Sequence, residues 1–146
     1  MDVVARILEA RTAGVIRCAV LDDPPKGLLE LAAAARLRLE LDRLREVDSA
    51  RARALATRIL YRDLAYRVEI MPERLAYELA DQFLELFVDR SPQYFTNGDF
   101  DREPLAKTKD VTVGPSWNPM TDAMFDTGLL VTALTRSGYL WVEDED

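Results

Sequence analysis

The chain changes character at Ser91, and that switch limits its fold more than any single motif. Up to Ser91, Ala, Leu, Arg and Glu dominate, and apolar residues recur at steps of three and four. Residues 91–124 hold Pro92, Pro104, Pro115 and Pro119, with Gly98 and Gly114 and polar residues between. From Phe125 on, β-branched and apolar residues take over. The pattern predicts an α+β fold in one domain, 1–146. An N-terminal bundle of three to four helices (1–90) leads through an irregular loop (91–124) to a C-terminal antiparallel β-hairpin (125–144).

Within the first part, Val4, Leu8, Val15 and Ala19 stand at near-helical spacing, interrupted by Gly14. Residues 14–21 fit a helix or a buried strand, and the spacing favours the helix. Two prolines, Pro24 and Pro25, break the pattern. Leu29, Ala33, Leu37, Leu41 and Leu44 then fall on one helical face. Residues 28–69 read as one long helix, or as two with Asp48-Ser49 as the second N-cap. Pro72 suits the first position of a further helix, whose stripe is Leu75, Ala76, Leu79, Phe83 and Leu86. After the loop, with a short strand expected at 110–113, residues 125–135 read as a strand. A turn at Arg136, Ser137 and Gly138 returns the chain through 139–142.

Function is narrowed first by composition: the 146 residues include no histidine and a single cysteine, Cys18. Ser-His-Asp triads, Cys-His pairs, zinc sites and Glu-x-x-His di-iron sites all need one or the other. Cys18, among Val15, Ile16, Ala19 and Val20, reads as a small buried hydrophobe. No glycine-rich loop opens a helix, so no phosphate cradle of that kind is expected. Neither a cofactor nor a metal is implied, and the chain reads as a non-enzyme. A charged residue interrupts every apolar run, so no membrane span or secretory leader is expected. The lone cysteine fits a reducing compartment, with the cytoplasm as the expected location.

Charge is unevenly placed. In 1–70, 13 Arg and Lys oppose 11 Asp and Glu, a balance of +2; in 71–146, 6 oppose 15, a balance of −9. An acidic half disfavours nucleic acid and favours a basic protein surface. Arg36, Arg43, Arg51, Arg58, Arg62 and Arg67 alternate with acids at spacings that suit intrahelical pairs. Tyr61 and Tyr66 suit a core boundary.

Three acidic groupings are candidates for a site. Glu78, Asp81 and Glu85 share a helix face opposite the apolar stripe and read as solvated. Asp99, Asp101, Glu103 and Asp110 echo a calcium loop, but Pro104 stands where the loop needs glycine, and its twelfth position normally carries a Glu. The closing run, Glu143, Asp144, Glu145 and Asp146, follows Trp141 and an apolar strand without a linker. Charges there both discourage strand aggregation and suit a basic cleft. Trp117, Asp122 and Asp126 stand where the loop enters the hairpin, and rigid aromatics in loops make interface anchors.

The expected partner-binding residues are therefore Trp117, Asp122, Asp126, Trp141, Glu143, Asp144, Glu145 and Asp146. In size and charge alone the chain resembles bacterial immunity proteins and inhibitors. The expected function is a non-catalytic acidic binding module that occludes a basic surface or active site of a protein, as an inhibitor or immunity-type antagonist. Two alternatives stand beside it. One is a structural subunit of a larger or homo-oligomeric assembly, with 28–69 as its seam. The other is a carboxylate-based metal-dependent enzyme.

Overall fold

A computed structural model describes residues 1–22, 26–88, 91–102, 106–108 and 111–146. The helices are α1 (Val3–Ala10), α2 (Leu28–Ala34), α3 (Ser49–Tyr61) and α4 (Glu73–Glu85). The strands are β1 (Val15–Leu21), β2 (Arg45–Val47), β3 (Gln93–Thr96), β4 (Ala106–Thr108), β5 (Val111–Val113), β6 (Phe125–Thr132) and β7 (Ser137–Asp144). Five strands form an antiparallel sheet in the order β1-β7-β6-β3-β2, and β4 pairs with β5 apart from it. The fold is mixed α+β, as expected. Its organising unit is the sheet, however, and strands interleave with the helices instead of following a bundle.

The expected hairpin is present as β6 and β7, with Phe125 opposite Asp144 and Thr132 opposite Ser137, but its turn falls at 133–136, since Ser137 and Gly138, expected in the turn, belong to β7. It lies at the centre of the sheet and is covered on both faces. Successive side chains of a strand point to opposite faces. Leu129, Val131, Leu140 and Val142 accordingly join a core with Ile7 of α1, Leu55 and Ile59 of α3 and Leu79 and Phe83 of α4. Leu130 and Trp141 face the other way, into a smaller core with Leu31, Ala35, Leu37 and Met120. Residues that alternate between two cores produce an unbroken apolar run in sequence. Gly128 is required at this centre, because a Cβ there would run into Leu140 O and the backbone of Trp141.

Several expectations are corrected. Residues 15–21 form a strand, not a helix: β1 runs along β7 from Val15 opposite Glu143 to Leu21 opposite Ser137. The deciding partner lies at the far end of the chain, out of reach of any local pattern. The stretch 28–69 is not one helix but holds two, α2 and α3, both shorter than expected. Helix α2 stops at Ala34, and Arg36 takes the left-handed conformation at φ 61°. Arg36 N donates to Ala33 O at 3.1 Å and Leu37 N to Ala32 O at 2.8 Å, a Schellman closure in which arginine holds the place glycine usually takes. Leu29, expected on the apolar face, is half exposed. A 3-10 turn (Leu41–Arg43) and β2 then intervene before α3.

Helix α3 starts where expected, with the Asp48 side chain accepting from Arg51 N at 2.8 Å, but it ends at Tyr61 and not near Glu69. The segment 62–70 folds back on itself: Ile70 N donates to Tyr61 O at 2.7 Å, and Asp63 accepts from Tyr66 N and Val68 N. Pro72 is the N-cap of α4 and not its first helical residue. Within the expected loop 91–124, Tyr94 and Phe95 lie in β3, which pairs with β6 and β2. The strand expected at 110–113 appears as β5. The Pro24-Pro25 break and Glu103, Pro104 and Asp110 of the calcium-like spacing lie outside the described residues.

Candidate functional site: an acidic groove at one end of the sheet

The eight residues expected to meet a partner separate by burial. Trp141 is fully buried in the core under α2. Asp126 is fully buried too, and it ties the incoming loop to the start of β6. Its carboxylate accepts from Asn97 Nδ2 at 3.1 Å, Met120 N at 3.1 Å, Thr121 N at 3.3 Å and Thr121 Oγ1 at 3.1 Å. Burial raises its pKa above the usual carboxylate value, and the donors from Met120 and Thr121 oppose that shift. Asn97, which the sequence reading missed, completes the knot by donating to Asn118 O and accepting from Thr127 Oγ1. Trp117 is half-buried between Phe100 and Phe125, with ring centroids 5.2 and 5.3 Å away.

Asp144 is also interior. Its two oxygens accept from the Arg11 guanidinium at 3.1 and 2.8 Å and from Leu64 N at 2.9 Å. Glu143, half-buried on the opposite face of β7, accepts from Arg17 Nη2 at 3.1 Å. Asp122, Glu145 and Asp146 are exposed, and Asp122 pairs with Arg38 at 2.8 Å.

The exposed end of β7 borders a groove of about 490 Å³ formed with residues 12–15 and the folded-back segment 62–70. Among the described residues its lining includes Asp63, Glu69, Glu143, Asp144 and Glu145 and no basic residue. Val15 and Val68, 48% and 62% exposed, give it an apolar floor with Ile70. Glu143 and Glu145 also line a neighbouring depression that holds Asp122, Arg36 and Arg38. The sequence reading found the β7 carboxylates but not Asp63 and Glu69. In a continuous helix those two would have been unremarkable, and only the turn at 62–70 sets them against β7.

Four of the other candidate acids are engaged elsewhere. Glu78 pairs with Arg74 at 3.2 Å and Asp81 with Arg53. Asp99 accepts from Ser116 N at 2.6 Å, and Asp101 from Arg51 at 2.9 Å. Among the described residues no group of three or more acidic or cysteine side chains is arranged to hold a metal ion. No helix among them is long and apolar enough to cross a membrane. Cys18 is buried, and burial pushes its thiol up to about 12, which disfavours the reactive thiolate.

Comparison with protein-family models, curated proteins and solved structures finds no match.

Proposed function

We propose that this chain is a non-catalytic protein-binding module whose acidic groove takes a basic segment of a partner protein. The observation that carries this reading is the meeting of Asp63 and Glu69 with Glu143 and Glu145 beside Val15, Val68 and Ile70, with no basic residue among the described lining. A Lys or Arg side chain suits both parts of such a groove: its aliphatic stem lies along Val15 and Val68 while its charge meets the carboxylates. Long-range attraction to Glu145 and Asp146 speeds encounter, and the apolar contact slows release. Covering a basic active site in this way makes the module an inhibitor or immunity-type antagonist, acting in the cytoplasm.

The test is capture of proteins from the source cells by the tagged chain and by a Glu69→Gln, Glu145→Gln, Asp146→Asn variant. All three positions are exposed, so the fold is undisturbed. The expected result is one stoichiometric basic protein, retained at low salt, weakened at moderate salt where charges are screened, and lost from the variant. Equal capture by the variant, or recovery of the chain alone, overturns the reading.

A further inference from the structure

The folded-back segment 62–70 has a second side. Asp63, Val68 and Glu69 border the acidic groove, while Arg62 and Arg67 border a different one, of about 640 Å³, between α3, α4 and the 3-10 turn Phe100–Arg102. Among the described residues four arginines line this second groove, Arg53, Arg58, Arg62 and Arg67, with two carboxylates, Glu73 and Asp101. Asp101 is already held by Arg51 at 2.9 and 3.3 Å, and Arg53 is held by Asp81. Among the described residues Arg58, Arg62 and Arg67 gather at the 58–67 end.

Two guanidinium groups at that end have neutral acceptors among their partners. Arg58 donates to Arg62 O at 2.7 Å and Asp63 O at 3.2 Å. Arg62 donates to Tyr61 Oη at 3.2 Å and lies over the Tyr61 ring, 4.6 Å from its centroid. Among the described residues no carboxylate pairs with Arg62 or Arg67, and Arg62 Nε is buried with no acceptor. Burial first, and then the neighbouring Arg62 cation, lower Arg58 to about 10. A buried guanidinium N–H left without an acceptor, as at Arg62 Nε, is relieved by an anion. Arg67 holds its exposed place with a left-handed backbone at φ 59°.

Arginine clusters suit phosphate, whose oxygens accept paired N–H donors from a planar guanidinium. The rest of the lining is aromatic and aliphatic: Tyr61, Tyr77 and Phe100, with Tyr77 51% exposed. The volume lies in the range of small-molecule sites, roughly 300–1,000 Å³. We infer that this groove binds a small phosphate ester carrying a flat ring, with Arg62 and Arg67 on the phosphate and Tyr77 against the ring. The site is independent of the acidic groove, although the two share one wall.

Adenosine 5′-monophosphate, inorganic phosphate and adenosine, each titrated calorimetrically into the full chain, test it. Adenosine 5′-monophosphate is expected to bind saturably and about tenfold or more tighter than either fragment. Arg62→Gln and Arg67→Gln should each weaken it by about tenfold, the loss of one charge-assisted contact. Arg74→Gln, on an exposed residue of α4 outside the groove, should leave it unchanged. Because Arg67 is exposed, its variant folds and keeps the test valid should Arg62→Gln lower the melting temperature. Absence of binding, or affinity unmoved by Arg67→Gln, overturns the site. Inorganic phosphate binding as tightly as the ester overturns the ring contact.

Discussion

Arg11 shows how much of this fold rests on a few interior charges. It is the residue after α1, 2% exposed, and all its described contacts are made inward: Nε to Ile59 O at 2.7 Å, Nη1 to Ala13 O at 2.6 Å, and a two-pronged pair with Asp144. One side chain thus joins α1, α3 and the end of β7. Gly14 belongs to the same arrangement, with φ 59° and a position where a Cβ would collide with Asp144 Oδ1 and Glu143 O. Removing one member of a buried ion pair leaves the other desolvated and unpaired, which costs about 3–5 kcal/mol. Arg11→Met and Asp144→Asn should each lower stability by that order in urea denaturation. The double variant Arg11→Met, Asp144→Leu should recover a large part of it. Strictly additive losses would show that the two side chains act separately. Asp144 read as one of four solvent charges because nothing in its neighbours announces Arg11, 133 positions away. Its strand period, one residue off Glu143 and Glu145, was the available clue.

At the scale of elements, the ends of helices were legible where a side chain marks them. Asp48 is such a marker, and truncating it as Asp48→Ala should cost about 1 kcal/mol, read as a lower thermal midpoint with α3 otherwise intact. An unchanged midpoint would mean that packing of Leu55, Ile59 and Leu60 alone holds the helix start. Ends made by the backbone were not legible. Arg36 closes α2 in a conformation that an arginine does not advertise, and the spacing of Leu37, Leu41 and Leu44 therefore suggested a helix that is not there. Those leucines line the core under α2 from turns. Strands fared similarly: β6 and β7 declared themselves through apolar runs close in the chain, whereas β2 and β3 are short and β1, β2 and β3 pair with distant partners.

Taken whole, the molecule is a sheet with α1, α3 and α4 on one face and α2 on the other, bearing an acidic groove and a basic one on either side of 62–70. Burial on both faces makes the centre of the sheet its most stable part. In native-state hydrogen exchange the amides of 129–131 and 140–142 should be the slowest, opening only with global unfolding, and those of β2 at the edge should exchange faster. Equal protection in β2 would place the stabilising core elsewhere. The sequence by itself determined the α+β class, the central hairpin, the cap of α3 and the exclusion of histidine and disulfide chemistry, because each depends on residue type or on neighbours close in the chain. Only the tertiary structure decided that β1 is a strand, that Asp126, Trp141 and Asp144 lie inside, and that Asp63 and Glu69 join the β7 carboxylates. Each of those outcomes depends on a partner many residues away, and local periodicity holds no record of which distant segment will supply it.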